Sequence, residues 1–283
     1  MIASTGASGL APDGTFREQF AKAHQLGYKC LELWLWLDGD TNKTLTVNST
    51  EENYAEIRSL IKEYGIEVRS IASGAYWAIG AFGSSDPIKS GEAIRVMRKQ
   101  IEAARAIGAD TILVVTNIDE STGYMQSIDL TIKVFKEMNA EIKEAGINIG
   151  IENVWNRFFM SPLDVIHVLE AIDNEYVGLY FDIGNMVAFS EPEYWIEALG
   201  KYIKKVHIKD FKRNNGYNSG GVFCNLLEGD VNFKKCMPML KKVGYDGPIT
   251  AEVGYTDTSI TRDEFCKNLY DAMKKIERMA DLV

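Results

Sequence analysis

The sequence is short of histidine, cysteine and proline and carries no excess of positive charge. Its 283 residues include 3 His, 4 Cys and 6 Pro, and 31 Lys plus Arg stand against 40 Asp plus Glu, a net charge of −9. That acidic balance argues against nucleic acid and against an anionic membrane surface as partners, because both need a dominant basic field. Cys30, Cys224, Cys236 and Cys266 are widely spread. None of the short spacings of a zinc or redox motif occurs, so they are expected as reduced thiols of a cytoplasmic protein. Long apolar runs are missing too. The most apolar stretch, 30–37, contains Glu32 and falls far below the ~20 residues that span a bilayer. Residues 1–12 have no basic segment leading into an apolar one and are not read as a signal peptide. Ser, Gln and Pro tracts are absent, which excludes a long disordered region.

What is present is a globular composition, 46% hydrophobic and 25% charged, arranged as an alternation. Short β-branched or apolar runs at 28–33, 66–72, 111–116, 147–152, 177–182, 203–209 and 248–252 read as strands, with 2–5 as a shorter one at the start. Helical periodicity fills the intervals. Ser49 with Glu52, Asp86-Pro87, Ser161-Pro162 with Asp164, and Ser190 ahead of Pro192 read as helix starts. Gly27, Gly65, Gly108 and Gly146 read as helix ends. Eight such units without a Pro/Gly-rich linker favour an α/β fold, a single-domain (β/α)8 TIM barrel over 1–283, rather than two domains. A doubly wound sheet would show G-x-G-x-x-G after its first strand, and Gly6-Ala7-Ser8-Gly9 lacks that spacing. The stretch between Asp210 and Phe233 is long for a connection and is expected to serve as a lid or binding segment.

In such a barrel, polar residues at the C-terminal ends of strands face the active-site mouth. Four consecutive candidate strands deliver Glu152, Asp182, His207 and Glu252 to that rim. Three carboxylates and one imidazole suit one divalent ion, with Mn²⁺, Mg²⁺ or Co²⁺ favoured and Zn²⁺ also accommodated. His24, near a helix end, and His167, within a helical run, read as structural.

Glu152-Asn153, Asp182-Ile183-Gly184-Asn185, His207-Ile208-Lys209-Asp210, Glu228-Gly229-Asp230 with Phe233, and Glu252 together resemble the xylose-isomerase-like superfamily of sugar and sugar-phosphate isomerases and epimerases. Its members include ketose 3-epimerases and L-ribulose-5-phosphate 3-epimerases. The resemblance implies that Glu152, Asp182, His207 and Glu252 hold one metal ion, that Glu152 and Glu252 also move the substrate proton, and that the protein assembles as a homodimer or homotetramer. It also implies a small carbohydrate substrate. The chemistry agrees: a carbon acid beside a ketose carbonyl ionises only if the enediolate is stabilised, and a cation on its oxygens does that. Two carboxylates then exchange the proton.

Around this set, Arg213 resembles the substrate-oxygen-binding Arg of the ketose 3-epimerases. Lys209 shares strand parity with His207 and should point inward, to a substrate oxygen, a phosphate, or a pairing with Asp210 or Glu228. Glu32 is expected at the rim, on a sugar hydroxyl or behind a metal ligand. Trp34 and Trp36 offer an apolar platform, and Trp155 with its neighbours to Phe159 a cover for the mouth. The ketose 3-epimerases carry a Glu and a His where this chain has Phe158 and Asn185; Asn185 keeps a hydrogen-bonding side chain. Asn218-Ser219-Gly220-Gly221, with Lys212 or Arg213, offers a phosphate cradle. Two other readings share the fold: a lyase or dehydratase acting on a related polyol ketone, and a sugar-binding barrel without turnover. The related apurinic-site endonucleases use many His ligands and a basic groove, which 3 His and −9 do not supply.

Overall fold

Runs that are apolar nearly throughout, such as Val177–Asp182 with its single terminal carboxylate, belong to strands covered on both faces, and here all six residues of that strand are buried. The computed structural model describes residues 1–79, 82–116 and 121–282. Its strands are β1 (Ile2–Gly6), β2 (Cys30–Trp36), β3 (Leu45–Thr46), β4 (Glu67–Ser73), β5 (Thr111–Val114), β6 (Asn148–Glu152), β7 (Val177–Asp182), β8 (Ile203–Ile208), β9 (Asp210–Arg213), β10 (Gly221–Cys224) and β11 (Pro248–Ala251). All but three form one ring in the order β1, β11, β8, β7, β6, β5, β4, β2, each pair parallel, and β1 pairs with β2 to close it. Helices connect successive ring strands on the outside, so this is the expected (β/α)8 TIM barrel.

Local chemistry sets the helix boundaries. Helices end at Gly27, Gly65, Gly108 and Gly146, each in the left-handed conformation, as read from the sequence. Asp86 caps the helix Pro87–Ile107, and Ser161 forms a capping box with Asp164 at Pro162–Ile172. Two expected starts move. Thr50 rather than Ser49 begins Glu51–Tyr64, boxed with Asn53, because the Ser49 hydroxyl already accepts the Thr46 amide. Ser190 accepts from the Trp195 indole instead of capping, and Glu191 stands at the start of Pro192–Leu199.

The stretch after β8 is also different from an open loop. β9 and β10 form an antiparallel ribbon from Asp210↔Cys224 to Arg213↔Gly221. Asp210 anchors its base: the carboxylate accepts the amides of Phe211, Gly229 and Val231, which joins the His-Ile-Lys-Asp and Glu-Gly-Asp segments. At the opposite end of the barrel, the buried ammonium of Lys205 lies 2.7 Å from Asp110, which also accepts Arg69 Nε at 2.6 Å. Among the described residues no helix is long and apolar enough to cross a membrane.

Candidate active site

Parallel pairing puts Asp182 opposite His207, and His207 opposite Thr250 two residues before Glu252. Neighbouring strands thus bring their ends to one point. Glu152, Asp182, His207 and Glu252 each turn one ligand atom to a common centre, all within 4.8 Å of one another. His207 Nδ1 lies 2.8 Å from Glu252 Oε2 and 3.6 Å from Glu152 Oε1.

The donor set fits a divalent cation for a reason visible in its hydrogen bonding. Glu152 Oε1, Asp182 Oδ2, His207 Nδ1 and Glu252 Oε2 are buried and lack a hydrogen-bond partner. Buried polar atoms are normally paired, and lone pairs converging on one point repel unless a cation lies between them. The other oxygen of Asp182 shows the contrast, accepting the amides of Gly184 and Asn185 at 2.9 and 2.8 Å. Burial pushes the Glu152 and Asp182 carboxyls above their ordinary values, and the negative Glu252 nearby adds to it. Burial acts the same way on Glu252, but Lys209 and His207 outweigh it and hold that carboxyl down to about 2. For His207, burial lowers the value, and Glu32 and Glu252 together drive it well above the usual imidazole range.

Behind His207 stands Glu32, the rim residue whose place the sequence leaves between sugar and metal ligand. It lies inside β2, which continues to Trp36, rather than at a strand end. Its Oε1 is 2.9 Å from His207 Nε2, and its Oε2 accepts Ser70 Oγ at 2.7 Å and the Tyr180 hydroxyl. Ser70 and Tyr180 were not foreseen. Tyr180 could have been, since it stands two residues before Asp182 and shares its inward parity. Asn153 was quoted only as part of a motif. Its side chain accepts the Asp182 amide and donates to the Asp182 carbonyl, tying β6 to β7 at the ligand.

A cavity of about 440 Å³ opens beside the cluster, with Glu32, Trp34, Lys209, Phe223 and Glu252 in its walls, a size usual for small-molecule sites. Trp34 supplies the expected apolar wall. Trp36 stacks on it at 5.6 Å but remains substantially exposed outside.

The residues expected to contact substrate also have partners within the protein. Lys209 points inward as its parity requires, but its partners are Asp182 Oδ2 at 3.1 Å and Glu252 Oε2 at 3.0 Å, not Asp210 or Glu228. Asn185 is consumed in support: its amide goes to Asp182, its side chain donates to the Asn153 carbonyl, and its carbonyl accepts the Trp155 indole at 2.5 Å. Trp155, half exposed, leans on Phe211 and Phe223 and borders a second cavity with Phe159, Met186 and Trp195. The Arg213 guanidinium is held by the carbonyls of Val187 and Ser190 and by Glu191, and it does not reach the walls of the cavity beside the cluster. The turn expected as a phosphate cradle is likewise engaged within the protein. Lys212 pairs with Asp230 at 2.8 Å, and the turn is tied to itself through Asn214, Asn215 and Ser219.

The family model described as the xylose isomerase-like TIM barrel matches residues 20–280. The chain belongs to this family. Among its relatives, the L-ribulose-5-phosphate 3-epimerase UlaE of Escherichia coli is 26% identical over 83% of this chain and 81% of its own. Protein MJ1311 of Methanocaldococcus jannaschii is 28% identical over 69% of this chain and 66% of its own. Of solved structures, the IOLI protein, which holds a zinc atom, superimposes over 100% of both chains with a TM-score of 0.80 at 14% identity, a likeness of fold.

Proposed function

We propose that the protein is a divalent-metal-dependent epimerase or isomerase of a ketose or ketose phosphate, working through an enediolate. The observation that carries this reading is the convergence of four buried ligand atoms of Glu152, Asp182, His207 and Glu252 on one point beside a cavity. Glu152, Asp182, His207 and Glu252 would hold Mn²⁺, Mg²⁺, Co²⁺ or Zn²⁺, which supplies Lewis-acid stabilisation of negative charge on the substrate's carbonyl and hydroxyl oxygens.

The chain's own residues do the rest. Glu152 at the end of β6 and Glu252 just beyond β11 approach from positions three strands apart in the ring. One of the two, as the carboxylate, takes the proton from the carbon next to the carbonyl, and the other, as the carboxylic acid, gives its own proton to the enediolate, so the pair ends with its protonation exchanged. Return to the opposite face of that carbon inverts it; return to the neighbouring carbon interconverts ketose and aldose. Trp34 and Phe223 wall the cavity with aromatic surface against which the apolar C–H face of a sugar can lie. Asn153 and Asn185 fix Asp182, and Glu32 fixes His207.

The test is proton exchange. With Mn²⁺ present, a panel of ketoses and ketose phosphates in deuterated water should include one that gains deuterium beside its carbonyl, followed by NMR. Glu152→Gln or Glu252→Gln should slow that exchange by about 10²–10⁴. A protein that takes up no divalent ion and exchanges no substrate in the panel would be a binding barrel instead. Loss of a β-hydroxyl from the product would mark a dehydratase.

A further inference from the structure

We propose that Lys209 is a tethered counter-cation of the metal centre, sharing Asp182 and Glu252 with the divalent ion and thereby weakening its binding. The inference rests on the metal-centre reading above and adds a residue outside the four ligands. The Lys209 ammonium lies 3.1 Å from Asp182 Oδ2 and 3.0 Å from Glu252 Oε2. Those are two of the four ligand atoms turned to the common centre. Each carboxylate oxygen carries more than one lone pair, so the same oxygens can face the ammonium and a second cation.

The backbone holds this ammonium in place. Lys209 follows β8 directly, two residues after His207, so it inherits the same inward direction. Asp182-Ile183-Gly184-Asn185 packs against it so closely that a side chain at Gly184 would stand 2.7 Å from Lys209 Cβ and 3.0 Å from its carbonyl. On its open side the ammonium lies 5.7 Å from the centre of the Phe223 ring. The charges explain the arrangement. Three carboxylates and one ammonium leave two negative charges, the complement of one divalent ion; without the ammonium the ligand set would hold such an ion with one more negative charge. A fixed positive charge on two of the ligands lowers their attraction for the metal and keeps it exchangeable.

Mn²⁺ binding to the full-length protein, measured by calorimetry and by the EPR signal of free Mn²⁺, tests this. Lys209→Met keeps the length of the side chain and removes its charge. It should bind Mn²⁺ at least tenfold more tightly than the wild type, while Lys209→Arg should stay within threefold. Lys209→Gln, expected to follow Lys209→Met, provides the same comparison should the methionine variant fold poorly. Unchanged or weaker binding in the uncharged variants overturns the role of Lys209 alone. A wild-type protein that takes up no Mn²⁺ overturns the metal reading and this proposal with it.

Discussion

His207 Nε2 and Glu32 Oε1 lie 2.9 Å apart in the buried interior, although 175 residues separate them in the chain. With the Nε2 hydrogen donated to Glu32, Nδ1 is the nitrogen turned to Glu152 and Glu252, and it is the one that would ligate a metal ion held between them. Glu32 in turn is held by Ser70 and Tyr180. Imidazole orientation at the centre therefore depends on strands on the far side of the ring.

Glu32→Gln should weaken Mn²⁺ binding by about 10–100-fold without removing a ligand. The amide cannot offer acceptors to His207, Ser70 and Tyr180 at once, so one buried group loses its partner. Titration of the variant with Mn²⁺ measures the effect, and an unchanged dissociation constant would show that His207 is oriented by something else.

Chelation should lower the melting temperature, and Mn²⁺ should restore it. An ion present at a hundred times its dissociation constant contributes about 2.7 kcal/mol, which for a chain of this size corresponds to about 5–10 °C. Thermal melts with EDTA and with added Mn²⁺ provide the comparison.

The floor of the barrel predicts an acid-sensitive contribution. Burial raises the Asp110 carboxyl, but Lys205, then the Thr111 hydroxyl and Arg69, outweigh it, and the folded value lies below the ordinary one. The unfolded chain takes up this proton first as pH falls. The stabilisation is therefore complete above the ordinary carboxylate range and is lost as pH drops through the folded value. Asp110→Asn leaves the Lys205 ammonium, only 3% exposed, without its anion. The cost should be about 2 kcal/mol near neutrality, moderated because Asp110 is 36% exposed. In urea unfolding from about pH 7 to 2.5, the gap between wild type and variant should close toward the acid end.

Arg213→Lys separates support from substrate contact. The guanidinium reaches two carbonyls and Glu191 at once, which a single ammonium cannot match. The variant should lose about 1–2 kcal/mol of stability with KM changed less than threefold. A tenfold rise in KM with stability intact would return Arg213 to the substrate.

The barrel and its four ligand residues were legible along the chain because each signal is local. Apolar strands alternate with capped helices, and a metal-ligand type stands at or near the end of each of β6, β7, β8 and β11. Parity along a strand also sufficed to turn Lys209 inward. For Glu32 a place behind a metal ligand was one of two readings; the partners of Lys209, Asn185, Trp155 and Arg213 were not legible, nor was the ribbon of β9 and β10. Each depends on which atoms meet across the ring, and that is set by strand register and by the closure of β1 on β2. A polar residue at a barrel mouth can face the cavity, a ligand or a loop carbonyl from the same sequence position. Burial decides among these, because every donor and acceptor brought inside must find a partner there. Glu32 found His207, Arg213 found the loop after β7, and the four ligand atoms were left facing one another.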